Sequence, residues 1–130
     1  MQSSIFTKII NKEIPAYIID ETDDFIAFLD VFPLAKGHVL VVPKKQVDYI
    51  FDLEPNIYTG LWLFANTIAK RLEKAIPCKR IGIAVIGLEV PHAHVHLIPL
   101  QSVEDINFTR PKLKLNKEEM EEILLKIKKT

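Results

Sequence analysis

The sequence is poor in cysteine and has no long apolar run. Cys78 is the only cysteine among 130 residues, which excludes an intramolecular disulfide and any zinc site made of several thiolates. No stretch approaches the roughly 20 apolar residues that a membrane-spanning helix needs. The first residues are too polar and too few for a signal peptide. We therefore expect a cytoplasmic protein that does not contact a membrane.

The chain also lacks a net charge, because 17 lysines and arginines balance 17 aspartates and glutamates. A neutral chain without a basic stretch does not attract nucleic acid, so no nucleic-acid partner is predicted. Any anionic ligand must be held by a few aimed side chains. The length and the 48% content of hydrophobic residues predict a single domain over residues 1–130 that buries most of its apolar surface.

The order of the apolar patterns predicts an α+β fold with a mainly antiparallel sheet. A long amphipathic helix is predicted over residues 55–75, where apolar residues recur every three or four positions. Shorter helices are predicted after Ser3 or Ser4 and after Asn116, which forms a capping-box pattern with Glu119. Strands are predicted for the segments YIIDE, FIAFLD, HVLVVP, RIGIAVIG and PHAHVHLIPL, the last two pairing antiparallel.

Three of the four histidines lie at positions 92, 94 and 96, a spacing for which chance is a poor explanation. A lone histidine on a strand is usually structural. Side chains alternate across a strand, so the three rings are predicted to project on one face. The opposite, core-facing side would then consist of Ala93, Val95 and Leu97.

A row of imidazoles suits nucleophilic chemistry at a phosphate. One ring can be neutral and nucleophilic while another is cationic and holds phosphate oxygens. Mutual repulsion discourages protonation of all three, which favours a free base at the centre of the row. His94 has a neighbour on each side and is therefore the predicted nucleophile.

Zinc binding is the alternative chemistry, with two of these histidines and His38 as ligands. Positions 92 and 96 of a strand lie roughly 13 Å apart, so all three histidines of the row cannot share one ion. Ile98 and Pro99 supply no carboxylate to support such a site. We therefore predict no metal site and no cofactor.

The string HAHVHLI resembles the motif of the histidine triad (HIT) family, in which three histidines alternate with apolar residues. The N-terminal half is also similar to that family through the segments FTKII, EIPA, FLD and GHVLVVPK, which occur in the family's order. The resemblance covers a core of about residues 6–100, and residues 116–129 are expected to form a helical extension.

The resemblance implies a HIT-like fold, namely a homodimer in which each subunit gives five antiparallel strands to one continuous sheet. It implies that His94 attacks the α-phosphorus of a purine nucleotide such as AMP, forming a covalent nucleotidyl-histidine that water then cleaves. His96 would contact the phosphate and exchange protons. His92 and His38 would form a hydrogen-bond chain that orients the cluster.

The resemblance also implies the nucleotide-binding residues. Asp30 corresponds to a carboxylate that binds the ribose hydroxyls. Core packing explains the apolar candidates as readily as purine binding does, and the two explanations are compatible. The positions that correspond to the purine pocket are Phe6, Ile9, Phe28, Val31 and Leu40.

The segment GLEVPH departs from the family, because most relatives carry a glutamine and then a serine or threonine where this chain has Leu88 and Glu89. Backbone N–H groups from Glu89 to Pro91 are the candidate substitutes near the phosphate, although Pro91 itself has no N–H. The C-terminal helix is a second departure, at the place where relatives often complete the substrate pocket.

These features predict a HIT-family hydrolase that acts on purine nucleoside phosphoramidates or adenylates. Three alternatives stay open from the sequence. They are a dinucleoside polyphosphate hydrolase, a nucleotidyl transferase, and a nucleotide-binding regulatory module with little turnover.

Overall fold

A computed structural model describes residues 2–130. Five strands form one sheet in the order β1-β2-β3-β5-β4, and every neighbouring pair is antiparallel. The predicted α+β fold with one long and two shorter helices is confirmed. The elements in chain order are α1 (Ile5–Ile10), β1 (Ile18–Glu21), β2 (Phe25–Leu29), β3 (Val39–Pro43), α2 (Pro55–Ala75), β4 (Arg80–Ala84), β5 (Val95–Leu100) and α3 (Lys117–Lys128), with 3₁₀ turns at Ile50–Asp52 and Val103–Ile106.

The central strands β2 and β3 are buried on both faces. Their side chains alternate, so each strand contributes to two separate apolar cores. On one face Ala27 and Val41 pack in the core that contains α2. On the other face Phe28 and Leu40 pack in a smaller core that contains α1. The sheet thus separates a large structural core from the apolar cluster beside the histidines.

The long helix α2 begins at a proline, a residue that suits the first helical position because its missing N–H needs no partner there. Its buried stripe consists of Leu61, Ala65, Ile68 and Leu72. Gly60 lets the helix approach the sheet, because a Cβ at this position would lie 2.8 Å from the ring of Phe25. Within residues 2–130, no helix combines the length and apolar character that a membrane span requires.

Strand β5 begins at Val95, so the predicted strand from Pro91 is too long at its start. The register pairs Val41 with Val95, and extending it would place Ala93 opposite Pro43. Proline has no N–H to donate to a ladder, and the Ala93 N–H instead donates to the carbonyl of Val47 at 2.7 Å. The predicted alternation holds nevertheless, because Ala93, Val95 and Leu97 all face the large core.

The C-terminal helix α3 begins with the predicted capping box. Asn116 Oδ1 accepts the Glu119 N–H at 2.8 Å, and Glu119 Oε1 accepts the Asn116 N–H at 3.1 Å. The apolar stripe of α3 joins the core under α2, through Met120, Ile123 and Ile127. The helix therefore shares the core of the motif-bearing residues.

We expect Ile127→Ala to lower the free energy of unfolding by roughly 2–5 kcal/mol, because it leaves a cavity in that shared core. Leu125→Ala is the matched control on the same helix, since Leu125 is 57% exposed, and it should change stability by less than about 0.5 kcal/mol. Urea unfolding of both variants measures the difference. Equal effects would mean that α3 does not contribute to the domain core.

Candidate active site

The structure brings all four histidines together in one buried cluster. His38 directly precedes β3, His96 lies in β5, and His92 and His94 lie in the loop that leads into β5. The rings of His94 and His96 are 4.9 Å apart between centroids, and those of His38 and His96 are 5.2 Å apart. The ring of His96 therefore contacts the rings of both His38 and His94.

Hydrogen bonds to the main chain fix the proton on His38 and then on His96. The Leu34 N–H donates to His38 Nδ1 at 3.0 Å, so this nitrogen carries no proton and the neutral ring is protonated at Nε2. His38 Nε2 lies 2.9 Å from His96 Nδ1 and donates to it. His96 must then carry its own proton on Nε2.

The proton on His92 is fixed in the same way. Its Nε2 lies 2.7 Å from the carbonyl oxygen of Pro43, an acceptor only, so Nε2 is the protonated nitrogen. His92 Nδ1 is left as an acceptor, 2.7 Å from the hydroxyl of Ser4.

His94 has the opposite tautomer. Its Nδ1 lies 2.7 Å from the main-chain carbonyl oxygen of His92, so the proton is on Nδ1 and the lone pair is on Nε2. The unprotonated nitrogen of His94 thus lies next to a ring, that of His96, whose Nε2 is a donor. This pairing of a nucleophile with a hydrogen-bond donor suits attack at a phosphate.

The hydrogen-bond chain predicted through His92 and His38 is divided into two in the structure. One chain runs from Leu34 through His38 to His96, and the other runs from Ser4 through His92 to Pro43. The ring of His92 makes no hydrogen bond to the first of these chains. His92 is hydrogen-bonded to His94 only through its main-chain carbonyl oxygen.

Burial lowers the pKa of all four imidazoles. Desolvation is the largest cause in each case, and it brings the pKa of His38 to about 3 and that of His96 to about 4. A neutral ring was predicted only at the centre of the row. The lowered pKa values indicate that all four rings are neutral. The expected cationic neighbour is absent from the described cluster at neutral pH, because the buried rings have no counter-charge that offsets their desolvation.

Asp30 lies at the end of β2 beside this cluster. Its Oδ1 accepts the Phe32 N–H at 2.8 Å, and its Oδ2 is 3.6 Å from His38 Nε2, beyond hydrogen-bonding distance. Burial raises the pKa of the Asp30 carboxyl, although the Phe32 N–H works in the opposite direction. Within residues 2–130, Oδ2 has no hydrogen-bond donor and can accept one from a ligand hydroxyl.

Asp30, His38 and His96 are also the described residues that could approach a metal ion, since one ligand atom from each lies within 4.8 Å of the others. A metal on His38 Nε2 would have to displace the proton of that nitrogen. The proton cannot move to Nδ1, because the Leu34 N–H points there. The geometry fits a hydrogen-bond relay better than a metal site, and the expectation of no metal stays a prediction.

Four of the five candidate purine-pocket residues lie in one apolar cluster on the histidine side of the sheet. These are Phe6, Ile9, Phe28 and Leu40, to which the structure adds Ile26 and Val42. The ring of Phe6 meets that of His94 edge-on at 5.0 Å and that of His92 at 5.8 Å. Val31 is outside the cluster and 53% exposed, because the chain turns at Asp30 directly after β2.

Glu89 is exposed and affects the site only through the electrostatic effect of its negative charge. That charge raises the pKa of both Asp30 and His94, in each case as a minor cause. The predicted contribution of the backbone near Glu89 to ligand binding stays a prediction.

Two site residues were missed from the sequence. The ring of Phe108 packs edge-on against that of His96 at 4.8 Å. Lys112 Nζ donates to the Phe108 carbonyl oxygen at 2.9 Å, and its charge lowers the pKa of Asp30, His38 and His96. The segment before α3, rather than α3 itself, therefore closes this side of the cluster. A lone aromatic residue in a polar stretch was the only available signal.

A cleft of about 380 Å³ opens beside His94. Its apolar walls include Tyr49, Phe51, Trp62 and Val85, and Asp48 lies at its edge. The Trp62 indole N–H is buried without a hydrogen-bond partner among the described residues. This cleft adds open space next to His94.

Comparison with known proteins agrees with the fold. Residues 11–103 match the family model described as the HIT domain. The chain belongs to the histidine triad family. At the level of that family it is a nucleotide-binding hydrolase or transferase.

Individual relatives cover the chain to different extents. An uncharacterized HIT-like protein of Borreliella burgdorferi is 33% identical over 135 residues, which are 98% of this chain and 97% of that protein. The adenosine 5'-monophosphoramidase of Saccharomyces cerevisiae is 39% identical over 100 residues, 73% of this chain and 61% of the yeast protein. A crystal structure of a HIT-like protein from Bartonella henselae superposes with a TM-score of 0.86 at 31% identity, covering 98% and 95% of the two chains.

Acidification should destabilise the protein, because the folded state holds its histidines neutral. The pKa of His96 falls from 6.5 to about 4 and that of His38 to about 3. Below pH 6.5 the unfolded chain therefore binds more protons than the folded one. Each of these residues should lower the free energy of unfolding by roughly 1 kcal/mol per pH unit, from pH 6.5 down to its folded pKa.

Urea unfolding between pH 7 and pH 5 measures this slope. His38→Asn keeps an acceptor for the Leu34 N–H but cannot ionise, so its stability should depend less steeply on pH than that of the wild type. Asp30, whose pKa is raised, opposes the effect only at the acid end. Identical slopes in the two proteins would contradict the neutral state of His38.

Proposed function

We propose that the protein hydrolyses purine nucleoside phosphoramidates or adenylates through a covalent nucleotidyl group on His94. The observation that carries this proposal is the pairing of a lone pair on His94 Nε2 with a proton on His96 Nε2, in rings 4.9 Å apart. An imidazole with a bare nitrogen is a competent nucleophile, and an adjacent N–H can stabilise charge on a phosphate oxygen.

In the first step His94 Nε2 forms a bond to the α-phosphorus while the bond to the leaving group breaks, and the leaving group takes that electron pair. The positive charge that develops on His94 is stabilised by the His92 carbonyl at Nδ1. The His96 Nε2–H donates a hydrogen bond to a phosphate oxygen. A leaving amine takes its proton from solvent as the bond to phosphorus breaks.

In the second step a water molecule attacks the same phosphorus and His94 leaves as a neutral imidazole. The water proton passes to solvent, which restores the starting state. Splitting one displacement into two lets the same pair of histidines serve both halves of the reaction.

Substrate binding is assigned to the groups around this pair. The free Oδ2 of Asp30 is proposed to accept hydrogen bonds from the ribose hydroxyls. The purine is proposed to lie against the apolar cluster of Phe6, Ile9, Phe28 and Leu40, with Val31 as an exposed outer contact. The yeast relative, an adenosine 5'-monophosphoramidase, supports AMP as the nucleotide moiety.

We expect His94→Ala to lower kcat for an AMP–amine conjugate by at least about 10³-fold, because the nucleophile is lost. Mass spectrometry of an acid-free quenched reaction should find the nucleotidyl group on His94 of the wild type and no adduct in the variant. Cys78→Ser is the control for a second nucleophile. Burial raises the pKa of the Cys78 thiol, and this variant should keep both turnover and adduct.

An adduct on another side chain would contradict the proposal. Equal AMP affinity in wild type and His94→Ala, with no turnover by either, would instead identify a nucleotide-binding regulatory module.

A dinucleoside polyphosphate hydrolase or a nucleotidyl transferase is the second candidate, and Lys112 favours it. The charge of Lys112 acts to lower the pKa of both His96 and Asp30. A cation at this place suits an anionic leaving group better than an amine. The ratio of kcat/KM for an AMP–amine conjugate and a dinucleoside polyphosphate decides between the two hydrolases. Transfer to an added acceptor nucleotide in place of water would identify the transferase.

We further propose that two copies of the chain pair through their β4 strands. Both edges of the described sheet are open, but β1 is short and its end is surrounded by ion pairs, such as Lys12 with Glu21 at 2.6 Å, which disfavour strand addition. Beside β4 the surface is apolar, with exposed Ile83, Val85, Ile86 and Leu88.

Ile83→Lys should convert the dimer into a monomer, because it places a charge on the pairing edge. Ile5→Lys is the matched control, since Ile5 is exposed to the same degree, 51% against 52%, but lies on α1. Sedimentation equilibrium measures the mass of each. A wild-type monomer at micromolar concentration, or a dimer that survives Ile83→Lys, would contradict pairing through β4.

A further inference from the structure

The hydroxyl of Ser4 connects the first helix to the histidine cluster. Ser4 is 5% exposed and is the N-cap of α1, where its Oγ accepts the Thr7 N–H at 3.0 Å. The same oxygen lies 2.7 Å from His92 Nδ1. The bond to Thr7 is sufficient for capping. Ser4 Oγ therefore makes a second, shorter hydrogen bond that capping does not require, and this bond is to a histidine of the site.

The direction of this second bond follows from the carbonyl of Pro43. That carbonyl holds the His92 proton on Nε2, so Nδ1 can only accept and Ser4 Oγ must donate. The hydroxyl of Thr7 also approaches Nδ1, at 3.4 Å, but lies 2.9 Å from Gln46 Oε1 and donates to that oxygen. Ser4 Oγ also lies 3.3 Å from Thr7 Oγ1, but the contact with His92 Nδ1 is much shorter, so the proton of Ser4 is directed to His92.

Gln46 also connects α1 to the histidine segment. Its Oε1 accepts the Ser4 N–H at 2.8 Å as well as the Thr7 hydroxyl, and its Nε2 lies 3.3 Å from the Pro91 carbonyl oxygen. One side chain therefore holds the first turn of α1 to the residue that precedes His92.

The position of His92 and of α1 affects His94 in two ways. The carbonyl of His92 accepts the proton of His94 Nδ1, so a rotation of the His92 unit would move that acceptor. The helix that Ser4 caps also carries Phe6, whose ring edge contacts both His92 and His94. The orientation of the nucleophilic ring thus depends on an anchor 88 residues away from His92 in the chain.

We propose that Ser4 is a positioning residue for the reaction: its hydroxyl fixes the His92 ring between α1 and β3, and thereby the carbonyl that directs His94 Nε2 towards the substrate. This role rests on the proposed hydrolysis through His94. It predicts that turnover depends on the hydrogen bond between Ser4 and His92 Nδ1, and not only on the capping oxygen of Ser4.

Three substitutions separate these two functions. Ser4→Thr keeps both the capping oxygen and the donated proton. Ser4→Asp keeps a good cap but has no proton for His92 Nδ1, and Ser4→Gly costs an N-cap only a few tenths of a kcal/mol while it removes the hydroxyl. Asn116→Asp places the same new carboxylate at the cap of α3 and is the matched control.

We expect Ser4→Gly to lower kcat for an AMP–amine conjugate by about 10- to 100-fold with little change in KM, as is typical when a group that orients a reactive side chain is lost. Ser4→Asp should lose less, because its carboxylate can still hold the His92 ring by accepting from a protonated Nδ1. Ser4→Thr should restore most of the turnover. Asn116→Asp should leave kcat unchanged.

The ¹⁵N resonances of the His92 ring supply a readout that altered stability alone would not move. In the wild type and in Ser4→Thr the ring should be neutral and protonated on Nε2 at neutral pH. In Ser4→Asp the carboxylate faces Nδ1 and should draw a second proton onto it.

The outcomes separate the two proposals. If Ser4→Gly turns over substrate as fast as the wild type, Ser4 has no positioning role, whereas hydrolysis through His94 stands. An unchanged His92 spectrum in Ser4→Asp would also overturn the role of Ser4. If the wild type itself does not hydrolyse the conjugate, the proposed function fails and the role of Ser4 in it fails as well.

Discussion

The carbonyl oxygen of His92 accepts a hydrogen bond from His94 Nδ1 at 2.7 Å, and the chemistry available to the site depends on that bond. It places the only lone pair of the His94 ring on Nε2. The loop makes this possible because it leaves the β ladder: the partner strand β3 ends at Pro43, whose missing N–H cannot pair with the chain beyond Val95.

Main-chain groups, rather than charged side chains, set the protonation of the whole cluster. The Leu34 N–H and the carbonyls of Pro43 and His92 each dictate one tautomer, and burial keeps the rings neutral by lowering their pKa. Main-chain groups do not titrate, so the arrangement persists across the pH range in which the fold persists. The cluster therefore supplies preorganised donors and one nucleophile while its own rings carry no positive charge, and His94 becomes charged only when it bonds to the phosphorus.

The sequence predicted the faces of the elements better than their ends. Alternation at Ala93 and Val95 correctly placed the core side of the histidine segment, since side-chain direction depends only on local geometry. The start of β5 was wrong because it depends on where a distant strand ends. Phe108 and Lys112 were missed because loop closure brings them to His96 from a polar segment without periodicity. Ser4 was one of two candidate caps, with Ser3, but no local pattern could reveal its bond to His92.

The most direct test of this account is the tautomer of His94, measured by long-range ¹H–¹⁵N correlation in protein labelled at histidine nitrogens. At neutral pH we predict that His94 is neutral and protonated on Nδ1, with the Nε2 shift of an unprotonated nitrogen, while His96 is protonated on Nε2. A His94 ring protonated on Nε2, or on both nitrogens, would contradict its assignment as the nucleophile.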